Sequence, residues 1–217
     1  MVTRVYISRF TFVITKQKDI MTAQLTTLSS DNYKSYWEQA VSYEQYRANF
    51  ETEMNAEETS KYSQYLPQNW RRQSRLDRKL KLSDALQSTV HHLRKPVKWL
   101  LITEHWCGDA SQINPVIAKA AAESEGNIEL KLIYRDEHEA LIDAHLTNGK
   151  SRSIPILLQI DANYNVTGSY GPRPAEAQQL VLDIKADGGD YNTALHTWYA
   201  KDKQQGIQQD LVQLLEK

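Results

Sequence analysis

The sequence predicts an α/β protein: a central mixed sheet with helices on both faces, preceded by a helical extension and closed by a C-terminal helix. Three observations predict it. Two strand-like runs, Val97–Thr103 and Ile128–Tyr134, flank an alanine-rich stretch of helical character. Two more, Pro155–Asp161 and Asn165–Tyr170, are separated only by Ala162-Asn163-Tyr164, which is hairpin spacing. A helical pattern returns at Arg173–Ala186. The order strand, helix, strand, helix, hairpin, helix makes a sheet that needs cover on both sides.

The elements are justified in chain order. In residues 1–20 the run Val5–Ile14 is β-branched and aromatic enough for a strand. It makes a poor signal peptide, because Arg9 interrupts the apolar stretch and no small-residue cleavage site follows. We read residues 1–20 as a mis-start or a poorly ordered tail, with an extra edge strand as the rival. From residue 31 the pattern is helical, with Ser30 or Asp31 as N-cap. Tyr33, Trp37, Ala40 and Val41 share a face that Tyr43, Arg47 and Phe50 continue. A second helix is expected from Asn55-Ala56-Glu57-Glu58 to near Pro67. The tyrosines suit core or interdomain packing, since the ring can be buried while the hydroxyl finds a partner.

The segment from Trp70 to Lys81 is basic. Trp70, Gln73, Leu76 and Leu80 make one helical stripe, and Arg71, Arg72, Arg75, Arg78 and Lys79 cover the rest. The plain reading is a solvated face; the sharper one is a surface for a carboxylate or phosphate. Ser83 caps a helix to about Leu93, and Lys95-Pro96 leads into the first strand. Residues 21–96 thus form a helical extension, and 97–186 the core. In the core, the helix Ala110–Ser124 contains Pro115, where a kink is expected. A helix is expected from Arg135 to Leu146, stopped by Thr147-Asn148-Gly149. After Asp187-Gly188-Gly189-Asp190, residues 191–217 read as one long helix that docks on the core through Leu195, Trp198 and Tyr199.

Composition narrows the function. At 217 residues the chain can bury a substantial core, and a net charge of −1 provides no global field for nucleic acid or membrane. No apolar run approaches the ~20 residues of a membrane span. The single cysteine, Cys107, excludes an internal disulfide and a four-cysteine zinc site, and suits a reducing, cytoplasmic location. It lies at a strand-to-helix junction, where free N–H groups and the helix dipole favour a thiolate. The alternative is a small buried hydrophobe. Of six histidines only His105 is near Cys107 in sequence; it either stabilises a thiolate when protonated, against the neighbouring Glu104, or is exposed, while a surface position is the default for each histidine and no metal is expected.

The series Trp106-Cys107-Gly108, then Pro115, then Ser153-Ile154-Pro155-Ile156, then Gly171 after the last strand resembles the thioredoxin-like superfamily. The resemblance covers about residues 97–186. The whole chain, with Trp106-Cys107-Gly108-Asp109-Ala110 and its helical extension, is similar to a bacterial subgroup of thioredoxin family proteins. It implies a thioredoxin-like fold and an Ile154–Pro155 bond that is cis and lies beside the cysteine. It implies Cys107 as the catalytic residue, supported by Trp106, Gly108, Asp109, Ala110, Ile154 and Pro155. The expected partners are disulfides of proteins or low-molecular-weight thiols, with no cofactor.

Departures from the family pattern shape the chemistry. Ala110 stands where the family has its resolving cysteine, and Leu101 where it has a buried aspartate. Asp109 replaces a proline; its charge would raise the thiol pKa while the helix N–H groups lower it, and the sequence does not say which prevails. The expectation is a monothiol redox protein. The alternative is a non-catalytic peptide- or protein-binding module, which leaves enzymatic activity open.

Overall fold

The computed structural model describes residues 28–57 and 60–217. The strand or tail expected within residues 1–20 lies outside the described residues.

Among the described residues the extension contains four α-helices: α1 (Ser30–Gln39), α2 (Tyr43–Met54), α3 (Leu66–Lys79) and α4 (Asp84–His91). Ser29, not Ser30 or Asp31, caps α1: its hydroxyl accepts the Asn32 N–H while the Asn32 side chain accepts the Ser29 N–H. The continuous stripe expected from Tyr33 to Phe50 belongs to two helices. Between them Val41 pairs with Leu132 through bonds of 2.9 and 2.8 Å, and Ser42 caps α2. Apolar spacing could not reveal that backbone pairing. The helix expected from Asn55 to Pro67 is also corrected. Asn55 is the C-cap of α2, and Pro67 lies in the first turn of α3, where a missing N–H costs nothing. Ser83 caps α4 as expected, by accepting the Leu86 N–H.

The core contains β1 (Val97–Thr103), α5 (Ala110–Ala122), β2 (Ile128–Tyr134), α6 (Glu139–Asp143), β3 (Ile156–Ile160), β4 (Val166–Tyr170) and α7 (Ala175–Ala186). The strand order is β2-β1-β3-β4. β1 runs parallel to β2 and antiparallel to β3, and β4 is antiparallel to β3. This is the mixed sheet that the sequence predicts. Alternation along β1 feeds two cores. Trp99 and Leu101 join Ile117, Val181 and Leu211 on one face, while Leu100 and Ile102 join Trp37, Leu141 and Ile142 on the other. Helices therefore cover both faces.

Two helices differ from expectation. α6 is five residues, not the whole of Arg135–Leu146. The Arg135 N–H is bonded to the Thr103 carbonyl and the Asp136 N–H to Glu104 Oε1, so these residues form a turn tied to the end of β1. The C-terminal segment is two helices, α8 (Asn192–Asp202) and α9 (Gln205–Leu215). Lys203 and Gln204 adopt left-handed φ values of 54° and 63° between them. Gln204 is buried there, 3.5 Å from Gln112 Oε1 of α5, and α9 turns Ile207, Leu211 and Leu214 into the core.

Candidate functional site

The site is built on the loop from β1 to α5. β1 ends at Thr103, and Asn114 of α5 donates to Thr103 Oγ1 at 2.9 Å, which pins the helix to the strand. Cys107 therefore arrives one turn before a fixed helix. Its thiol donates to the Ile154 carbonyl at 3.3 Å, and its sulfur accepts the Ala110 N–H at 3.4 Å. The Ile154–Pro155 bond is cis. Cys107 is only 7% exposed, with Ala110 and Ile154 packed around it.

That environment does not favour a thiolate. Burial pushes the Cys107 thiol up to about 12, and the Asp109 charge adds to the rise. Backbone N–H groups of Ala110 and Asp109, and Arg173, pull the other way and lose. The expected activation by the helix terminus is thus overturned: these N–H groups cannot repay removal of the anion from water, and the carbonyl facing the sulfur prefers an S–H donor.

Asp109 does not cap α5. Its backbone is already helical, with φ −67° and ψ −43°. Its carboxylate meets Arg173 Nη2 at 2.6 Å and accepts the Tyr199 hydroxyl at 2.7 Å. Asp109, Arg173 and Tyr199 are all at least nine-tenths buried or nearly so, so the ion pair is held away from water. The cluster ties the loop between β1 and α5 to the residues just before α7 and to α8.

The histidine expectation is corrected. His105 is buried, not on the surface, with Nδ1 2.6 Å from Glu53 Oε2 and Nε2 3.1 Å from the Tyr46 carbonyl oxygen. Its ring packs on Phe50 and Tyr46, so it serves the extension and not the thiol. The histidine beside the loop is His196 of α8: a Cβ added at Gly108 would lie 3.4 Å from its Cε1. Burial and the nearby Arg72 charge lower the His196 pKa, against the pull of Asp109. His145 hydrogen-bonds the Tyr33 hydroxyl at 2.8 Å.

A cavity of about 840 Å³ opens over the loop, and Trp106, Cys107, Gly108, Asp109 and Ile154 line it. Ala110 and Pro155 lie behind that wall, both buried. Trp106 stacks on Tyr62 of the extension at 4.4 Å, and the Arg135 guanidinium lies 4.7 Å from its ring centre. Of the basic segment, Arg72 reaches the cavity; Arg71, Arg75, Arg78 and Lys79 are exposed and do not line it. Sequence reasoning missed Arg173, His196 and Tyr199. No local pattern marks them, because they come from elements 60 or more residues further along the chain. Among the described residues no helix is long and apolar enough to cross a membrane.

A family model described as thioredoxin matches residues 55–190. No curated protein matches. A solved structure of a protein of unknown function from Pseudomonas aeruginosa is similar with a TM-score of 0.62 and 20% identity, covering 85% of this chain and 96% of that one. An HIV epitope-scaffold is similar with a TM-score of 0.58 and 18% identity, covering 85% of this chain and 97% of that one. At these identities the two structures speak to the fold alone.

Proposed function

Because the chain belongs to the thioredoxin family, we propose that it is a monothiol redox protein acting on disulfides through Cys107. One observation carries the reading: Cys107 lines an open cavity, with its Sγ between the Ala110 N–H and the Ile154 carbonyl. In this reading, backbone groups around Ile154 and Pro155 align an extended substrate beside the sulfur.

The exchange has two steps. The Cys107 sulfur attacks one sulfur of a bound disulfide; a mixed disulfide forms, one thiol leaves, and the Cys107 proton passes to it. A second thiol from solution then attacks the mixed disulfide and releases Cys107. Ala110 offers no internal thiol for that step. With a thiol pKa of about 12 the resting sulfur is protonated at neutral pH; the attacking thiolate is a minor species, so exchange requires that the Cys107 proton leave as the substrate binds.

The same burial favours a second reading, a thioredoxin-fold binding module in which Cys107 is incidental. One set of variants separates the two. Under the redox reading, Cys107→Ser abolishes thiol transfer from mixed-disulfide substrates, and Ala110→Cys creates insulin-reducing dithiol activity that the wild type lacks. Wild-type protein that transfers no thiol to any mixed disulfide leaves only the binding module.

A further inference from the structure

We infer that the cavity over Cys107 selects an anionic ligand: a small disulfide or thiol that carries carboxylates. Naming the ligand as a redox substrate rests on the exchange reading above; the binding does not. Six cationic side chains line the cavity, namely Arg72, Arg135, Lys150, Arg152, Arg173 and Lys185, against one acid, Asp109. The chain as a whole carries a net charge of −1, so this excess is local.

Pairing removes part of the excess but not all. Arg173 is held by Asp109, Arg135 by Asp136, and Arg152 by Asp143 and Glu139. Arg72, Lys150 and Lys185 make no ion pair among the described residues. Arg72 is half-buried and donates only to the neutral Asn69 side chain, at 3.3 Å. A half-buried guanidinium without a counter-charge is costly unless an anion arrives.

A second observation points the same way. Arg173 Nε, His196 Nδ1 and Thr147 Oγ1 are buried atoms without a hydrogen-bond partner, and all three residues line this cavity. The Arg173 side chain is only 10% exposed. Buried polar groups are normally satisfied, so such a group at a cavity wall points to a ligand that completes it. The volume of about 840 Å³ lies within the range of small-molecule pockets, roughly 300–1,000 Å³.

The test titrates full-length Cys107→Ser, which cannot exchange, with the dianion 3,3′-dithiodipropionate and, separately, with the dication cystamine. Binding is followed by amide shifts in proton–nitrogen spectra at low salt. We expect the dianion to bind at least about tenfold more tightly, with shifts at Gly108 and Trp106, and the preference to fade as salt rises. Lys150→Gln with Lys185→Gln, both at exposed positions, should weaken dianion binding by about tenfold and should not weaken cystamine binding. Equal binding, a preference for cystamine, binding of neither probe, or an unchanged dianion affinity in the lysine variant overturns the inference. Dianion preference in Cys107→Ser without exchange in the wild type upholds the anion site and overturns the redox reading. Exchange in the wild type without charge preference does the reverse.

Discussion

At the residue scale the contest is between a helix terminus and burial, and at Cys107 burial prevails. The N–H donors that the sequence places at the start of α5 are present, but Cys107 is 7% exposed and Asp109 stands beside it. Iodoacetamide, a neutral reagent, should therefore alkylate Cys107 at pH 8 about a hundredfold or more slowly than a cysteine in a short peptide. Asp109→Asn should speed the reaction, because removing a neighbouring negative charge lowers the thiol pKa. The gain should be partial, since burial is the larger cause and remains. The sign for stability follows: the thiol's pKa is raised on folding, so its contribution is fully present below the ordinary cysteine value and is lost as pH rises through about 12. Mass spectrometry of alkylation at a series of pH values checks this, and peptide-like reactivity at pH 8 would contradict it. That Cys107 is the residue of interest is legible in sequence. Its protonation is not, because the largest cause is burial, which packing sets, and Arg173, 66 residues further along the chain, also acts on it.

At the scale of elements, boundaries were legible where local chemistry sets them. β1 and β2 begin and end as the apolar runs predict, and Ser83 caps α4. They were not legible where a distant partner sets them, as in the Val41–Leu132 pairing that splits α1 from α2. The turn after β4 is a further case. Gly171 has φ +124°, and a Cβ there would run into the Pro155 carbonyl oxygen behind the active loop. Gly171→Ala should destabilise the protein by about 2–4 kcal/mol in urea unfolding. Gly149→Ala, at φ +65° with open space around it, should cost only about 1 kcal/mol. Similar losses for both would mean that the close approach to Pro155 contributes nothing.

At the scale of the whole molecule, the extension completes the core. Tyr46, Phe50, Leu66, Leu86 and Val90 of the extension are fully or almost fully buried in one cluster with Trp99, Ile117 and Leu211. Removing them would expose an apolar face of α5 and of the sheet, each fully buried large side chain contributing roughly 1.5–3 kcal/mol. A fragment of residues 97–186 should therefore show no cooperative thermal transition by circular dichroism, whereas the full chain should unfold as one unit. A sharp, reversible melt of the fragment would contradict this. The family match, residues 55–190, likewise begins inside the extension.

Local sequence sets the sheet, its strands, the only cysteine just before α5, and an alanine instead of a second cysteine at position 110. These are local: apolar alternation, a capping serine or the identity of one residue is written where it acts. Only the tertiary structure decided what surrounds that sulfur. Arg72, Arg173, His196 and Tyr199 come from three segments far apart in the chain and meet at Asp109 or the cavity through packing. Burial and charge at a point sum over everything nearby in space, and no spacing along the chain encodes that sum.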